Sequence, residues 1–176
     1  PFRVMTTASA DQPLKGLRFL LEAIAALKPR YPRLELLVVG KLQEGGQTAE
    51  LLQSLYLRDS VRFVSGITTD AMVDYYAEAS VVVSPSLYEG FGLPAGEAMA
   101  CGCAVISSDG GALPEVVGDA GLIVPAGDSG ALATALEQVL TDDVLRTSLQ
   151  QKARQRIVEK FCWQVAARQF TQYYRQ

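Results

Sequence analysis

The 176-residue sequence predicts an α/β protein built on one doubly wound parallel sheet. Three observations lead there. Short β-branched runs alternate with longer stretches whose apolar residues recur at helical spacing. Those longer stretches have the length of crossover helices, which sets neighbouring strands parallel and puts helices on both faces, with right-handed crossovers the rule. Apolar residues make up 49% and charged residues 20%, the balance of a chain that buries a core rather than one that stays disordered. At this length a single domain over 1–176 is expected, with no internal repeat and no linker long enough to divide it.

Taken in order, Phe2–Thr7 reads as the first strand. Leu14–Lys28 reads as an amphipathic helix stopped by Pro29. Leu34–Val39 is a strand ending at Gly40, followed by a polar loop and a helix near Thr48–Leu57. Val61–Val64 is a strand ending at Gly66, and Thr69–Ala79 a helix capped by Thr68 or Thr69. Val81–Ser84 is a buried strand, Leu93–Ala100 a helix, Ala104–Ser107 a strand and Gly121–Val124 the last strand. Three helical stretches close the chain: Ser129–Leu140, Asp142–Lys160 and Trp163–Tyr174. The last carries Trp163, Val165, Ala166, Phe170 and Tyr173 as an apolar stripe.

Composition also excludes. A net charge of −3 without a Lys/Arg cluster gives no face for a nucleic-acid backbone, so no nucleic-acid partner is expected. No apolar run reaches membrane-spanning length. Pro1 to Thr7 lacks the charged leader of a signal peptide, and a start without Met reads as an excised piece. Three cysteines, Cys101, Cys103 and Cys162, are an odd count that argues against a secreted disulfide framework, and a cytoplasmic location is expected. They read as small buried thiols near a helix end. The absence of histidine removes Ser-His and Cys-His chemistry and leaves Cys101-x-Cys103 without the usual metal-ligand set, so no metal site is expected.

In sheets of this kind ligands sit outside the carboxyl ends of the strands. That puts Thr7–Lys15, Gly40–Gly46, Val64–Gly66, Pro85–Leu93 and Ser108–Gly111 on one rim. The most informative stretch runs Ser-Pro-Ser-Leu-Tyr-Glu-Gly-Phe-Gly-Leu-Pro-Ala-Gly-Glu over Ser84–Glu97. Gly90 and Gly92 let backbone approach a ligand, and Pro94 suits a first helical turn. A helix beginning near Gly92 or Leu93 presents free N–H groups and its positive dipole end, an anion seat suited to phosphate. The dipole is worth only about 0.3–1 kcal/mol when exposed, so a cationic side chain must add to it. Glu89 and Glu97 flank the seat with seven residues between them. Carboxylates repel phosphate but accept well from vicinal hydroxyls. An anion seat between two carboxylates therefore suggests a phosphate with a sugar at each end, the shape of a nucleotide sugar.

This stretch resembles the signature of retaining glycosyltransferases of the sucrose-synthase and mannosyltransferase type, the group 1 family. Glu97-Ala-Met-Ala-Cys-Gly and Gly111-Ala-Leu-Pro-Glu-Val-Val-Gly-Asp-Ala-Gly-Leu-Ile-Val-Pro resemble the same family's text, and the likeness runs from Lys15-Gly16 to the closing helix. The resemblance implies a GT-B architecture of two Rossmann-like domains facing across a cleft, this chain being the C-terminal, donor-binding one. It implies a nucleoside-diphosphate sugar as donor, no cofactor or metal, and an N-terminal acceptor-binding domain as partner in the same polypeptide. Residues 161–176 would pack toward that domain, and peripheral membrane association of the parent enzyme is a further expectation. Glu89 would contact hydroxyls of the transferred sugar and Glu97 those of the ribose. Backbone around Gly90, Phe91, Gly92 and Leu93 would hold the diphosphate, with Lys15, followed by Gly16, as its cation. Gly40, Lys41 and Val64 would line the base.

One departure stands out. The family usually carries an Arg five residues before the Lys, and that position here is Ala10, with Lys41 a candidate substitute. Blander readings exist for each residue. Glu97 would merely complement the helix dipole, Glu89 and Lys41 would be solvated loop residues, Lys15 would open a helix, and Tyr88 and Phe91 would pack. The rival from another class is a dinucleotide-binding module, since Gly90-x-Gly92 follows a strand and Asp109 ends the next one. Its glycine spacing is off, its turn is not tight, and it sits on the fourth crossover rather than the first. An epimerase or phosphorylase of the same fold, and a non-catalytic nucleotide-binding domain, are the remaining alternatives.

Overall fold

The computed structural model describes residues 2–8 and 11–174. Six strands form one parallel sheet: β1 (Arg3–Thr7), β2 (Glu35–Val39), β3 (Val61–Val64), β4 (Val81–Ser84), β5 (Val105–Ser108) and β6 (Leu122–Val124). Their spatial order is β3-β2-β1-β4-β5-β6. The chain winds outward from β1 to one edge, then crosses back and winds from β4 to the other. Every strand thus ends on the same edge, which is the predicted rim, and β1 and β4 flank the point where the winding reverses.

Among the described residues there are eight α-helices, of which the first seven pack on the sheet: α1 (Leu17–Leu27), α2 (Gln47–Ser54), α3 (Thr69–Glu78), α4 (Leu93–Ala100), α5 (Leu113–Val117), α6 (Ser129–Thr141), α7 (Asp143–Lys160) and α8 (Trp163–Tyr174). Strand side chains alternate between two cores. Val4, Leu36, Val38, Val81, Val83 and Ile106 pack with α1, α2 and α6; Met5, Val82 and Val105 pack with α3, α4, α5 and α7. β4 is buried along its whole length, as a central parallel strand should be. Thr68, Asp128 and Asp142 cap α3, α6 and α7 by accepting from Ala71, Ala131 and Leu145 N–H at 3.2, 2.8 and 2.9 Å.

Several boundaries differ from expectation, each for a local reason. The first helix begins at Leu17, not Leu14, because Gly16 takes a left-handed φ of 65° and splits off Pro13–Lys15 as a 3₁₀ turn. The second stops at Ser54, because Tyr56 enters the left-handed region at φ 55° and lets Leu57 N–H turn back to Leu52 O at 2.9 Å. α5 and the 3₁₀ turn at Gly118–Ala120 were not expected at all, being too short to show a period. Cys103 is buried, but Cys101 is exposed and Cys162 half-buried, so the three are not uniformly buried thiols. α8 buries no residue fully; of its stripe Val165 and Ala166 are half-buried, while Trp163 is 88% exposed and Phe170 64%. Residues 175 and 176 of the expected closing segment lie outside the described residues, as does residue 1. Among the described residues no helix is long and apolar enough to cross a membrane.

Candidate functional site

The site is built at the winding reversal, from the loops after β1 and β4. Gly16 is the hinge of the first. A Cβ there would lie 1.9 Å from Pro85 O, so only glycine allows the Pro13–Gly16 turn to rest against the Pro85 backbone. Leu87 N–H donates to Leu14 O at 2.8 Å and fixes the register of the two loops. Lys15 is thereby aimed across the reversal. Its Nζ donates to Glu89 Oε1 at 2.7 Å, with the lysine side chain 32% and the glutamate 14% exposed.

Glu89 is held from three sides. Ser86, itself buried, donates from Oγ to the same Oε1 at 2.8 Å, while Oε2 takes no hydrogen bond among the described residues. Ala112 N–H donates to Glu89 O at 2.9 Å. The loop after β5 lies flat against this backbone: Ser108 Oγ donates to Ser86 O, and a Cβ on Gly111 would come 2.2 Å from Glu89 O. Three loops thus converge on one residue, with its carboxylate bonded by Lys15 and Ser86 and its backbone carbonyl by Ala112.

Gly92, at φ 88°, is the N-cap of α4, and no side chain caps the helix. Pro94 has no N–H and Ala95 is buried, so the uncapped N–H of exposed Leu93 is the first-turn donor open to a ligand. Leu93 and Pro94 are the first two helical residues, and Phe91 and Leu93 are exposed. Glu97 is exposed but is the fifth residue of α4, not part of its first turn. The dipole reading of Glu97 weakens accordingly, since that effect fades within one turn. Its Oε2 lies 3.4 Å from Tyr76 Oη, which also lies 3.5 Å from Pro94 O. These are long bonds that position more than they stabilise. Burial, and then the charge of Glu97, push the Tyr76 hydroxyl well above its ordinary 10.0, so it stays protonated and can only donate to Glu97. Tyr76 was missed in the sequence; the aromatic pair Tyr75-Tyr76 at the end of a mostly polar helix was the available signal.

Gly40 and Val64 are joined by Gly40 N–H donating to Val64 O at 2.7 Å, so the loops after β2 and β3 leave the sheet together. Lys41 is exposed and is not part of the Lys15–Glu89 pair. Ala10 itself lies outside the described residues. Its neighbour Asp11, also unforeseen, accepts from Thr48 N–H at 2.8 Å and Thr48 Oγ1 at 2.9 Å. Asp11 thus ties the loop after β1 to the start of α2. Asp109, the acid the dinucleotide reading required, is instead engaged by Ala126 N–H at 2.8 Å. A separate concavity between α3 and the starts of β1–β3, lined by Arg3, Glu35, Arg62 and Tyr75, opens at the opposite edge of the sheet and has no part in this constellation.

Comparison with known proteins identifies the family and the fold. Residues 2–156 match the family model described as Glycosyl transferases group 1. The MMP alpha-(1->4)-mannosyltransferase of Mycolicibacterium hassiacum is 42% identical over 171 residues, 95% of this chain and 41% of that protein. The chain spans about two fifths of the length of the curated relatives it matches. Among solved structures, sucrose-phosphate synthase from Thermosynechococcus elongatus superposes with a TM-score of 0.85 at 35% identity, over 99% of this chain and 45% of that one. The C-terminal domain of a group 1 family glycosyl transferase, LpcC, from Francisella tularensis gives a TM-score of 0.80 at 28% identity, over 92% of this chain and 87% of that one.

Proposed function

The chain belongs to the group 1 family of glycosyl transferases, and from that premise we propose that it is the nucleotide-sugar-binding, C-terminal half of a retaining GT-B glycosyltransferase. The observation that carries the reading is the Lys15–Glu89 pair, 2.7 Å apart beside the uncapped start of α4. A cation, an uncapped backbone N–H and a partly free carboxylate meet there at the winding reversal, where open α/β sheets bind ligands. The near end-to-end match with a solved C-terminal domain supports the domain assignment.

In this reading the diphosphate rests on the backbone of Gly90–Leu93 and Lys15. Glu89 accepts from hydroxyls of the transferred sugar, Glu97 from the ribose, and Gly40, Lys41 and Val64 border the base. The anomeric C–O bond breaks with its electron pair going to the diphosphate. Charge growing on that oxygen is met by amides and an ammonium already in position, which favours the transition state over the ground state. The acceptor hydroxyl attacks the face the diphosphate leaves, so configuration is retained, and its proton passes to the departing phosphate. No metal has an assigned part, because Lys15 and the amides carry the cationic work. The acceptor is bound by an N-terminal domain of the same polypeptide, and a cytoplasmic setting suits three free thiols.

Calorimetric titration with UDP, GDP and ADP and their sugars tests the reading. One nucleoside diphosphate is expected to bind, and its sugar conjugate to gain further affinity. A folded chain that binds none of them would overturn it. An assay that scores glycosylated product should find no transfer by this chain alone; transfer would mean that an acceptor site lies within these 176 residues.

A further inference from the structure

The loop that carries the anion seat is anchored at Glu89, whose carbonyl accepts from Ala112 N–H, and at Gly92, which lies against Leu113, with Gly90 and Phe91 between those anchors. Phe91 stands between Gly90 and Gly92, and a Cβ on Gly90 would touch nothing within 4 Å. Phe91 packs edge-on against Phe161, with ring centroids 6.1 Å apart and planes at 83°. Phe161 belongs to a different part of the molecule. It caps the C-terminal end of α7, its N–H donating to Ile157 O at 2.9 Å.

α7 is arranged to reach this loop. Arg154 donates to Ala100 O at the C-terminal end of α4, Ala153 and Ile157 pack in the core with α4, and Phe161 meets the loop before its N-terminus. The two helices therefore run antiparallel, and α7 braces α4 from end to end. Immediately after Phe161 the chain turns: Cys162 O accepts from Val165 and Ala166 N–H at 3.0 and 3.1 Å, and α8 begins at Trp163. The joint between α7 and α8 is thus one aromatic contact away from the anion seat.

We propose that Phe161 is a positioning residue for that seat: by holding Phe91 it fixes the backbone of Gly90–Gly92, and the α7–α8 joint shifts when a diphosphate occupies the loop. This rests on reading the loop as a diphosphate site. Amides already in place bind more tightly than amides that must first be ordered. An edge-to-face pair of this kind corresponds to about 2- to 10-fold in an equilibrium constant.

The chain supplies its own reporter, since Trp163 is its single tryptophan, two residues past Phe161 and 88% exposed. UDP, GDP and inorganic pyrophosphate are titrated into wild type, Phe161→Ala, Phe161→Tyr and Phe91→Ala, with calorimetry for binding and Trp163 emission and acrylamide quenching for the joint. The expected result is a ligand-dependent Trp163 signal in wild type and Phe161→Tyr that vanishes in the two alanine variants. Phe161→Ala should lose about 2- to 10-fold in diphosphate affinity and keep its affinity for uridine or guanosine. Equal losses for nucleoside and diphosphate would reduce Phe161 to a general packing role and overturn the proposal. So would diphosphate binding that leaves Trp163 silent. If no diphosphate binds wild type, the reading of the site fails first, and the coupling is decided without ligand. Phe91→Ala, at a position already 47% exposed, must by itself raise Trp163 quenching and speed amide exchange at 161–166; unchanged values overturn the coupling as well.

Discussion

The ammonium of Lys15 lies 2.7 Å from Oε1 of Glu89, although the two residues stand 74 positions apart in the chain. They meet because β1 and β4, adjacent in the sheet, send their following loops in opposite directions from the winding reversal. The cation assigned to the diphosphate is therefore held by a carboxylate. Its ammonium has three donors, so it can keep Glu89 and still reach a phosphate, and Ser86, 2.8 Å from the same oxygen, gives the carboxylate a second anchor.

Removing Glu89 should accordingly separate two affinities. Glu89→Ala frees Lys15, so the bare nucleoside diphosphate binds as well as before or a few-fold tighter, while the sugar-bearing donor loses about 1–3 kcal/mol, the range for hydrogen bonds to a charged group. Glu97→Ala should weaken the bare diphosphate by a similar about 1–3 kcal/mol through the lost ribose contact. Calorimetry on the four combinations decides it. Equal losses of bare diphosphate in both variants would end the division of roles.

Lys15→Ala leaves Glu89 its bond from Ser86, so the loop should survive the change. Affinity for a nucleoside diphosphate is expected to fall by about 1.5–3 kcal/mol, the worth of a charge-assisted bond, and affinity for the bare nucleoside to stay level. A uniform fall for both ligands would show that Lys15 shapes the base side instead.

Glycine substitutions should distinguish close approach from conformational strain. Gly16 and Gly66 share nearly the same left-handed φ, 65° and 68°, but a Cβ at Gly66 has open space and one at Gly16 would lie 1.9 Å from Pro85 O. Gly66→Ala should cost only the strain of that conformation, about 1 kcal/mol, at the low end of its range. Gly16→Ala adds a backbone collision and the displacement of Lys15, and should cost more than about 2 kcal/mol. Urea unfolding compares them; equal costs would refute the packing role of Gly16.

Most of the sheet was legible because its signals are local. β-branched runs such as Val81–Val83 and the glycines after them mark strands without any tertiary knowledge. The rim followed from topology, and Lys15 and Glu89 followed from resemblance, but their contact did not. No spacing rule joins residues 15 and 89. It depends on Gly16 lying against Pro85, a close approach written only as one glycine among fifteen. Tyr76 and Asp11 escaped for the same reason, since each contacts a helix from another crossover, α4 and α2 respectively. α5 escaped because five residues cannot show a 3.6 period, although Pro114 at its second position was a usable start signal.

The last prediction concerns alkaline stability and rests on Cys103 and Tyr76, neighbours in the core beside α4. Cys103 Sγ–H donates to Tyr76 O at 3.2 Å, and burial pushes the thiol from an ordinary 9.0 up to about 12. The folded chain therefore keeps a proton that the unfolded chain releases above pH 9. Where the native state binds more protons, stability falls as pH rises, by about 1.4 kcal/mol per pH unit for each such group. The contribution is whole below pH 9 and declines between pH 9 and 12. Tyr76, raised from its ordinary 10.0 by burial and by Glu97, adds to the slope only above pH 10. Urea unfolding at pH 8, 9, 9.5 and 10 should show the decline begin near pH 9 in wild type. Cys103→Ala should begin lower, through lost packing, yet stay flatter up to pH 10. An identical slope in both proteins over that window would mean that Cys103 is not the group holding the proton, and that its surroundings are more open to water than its burial implies.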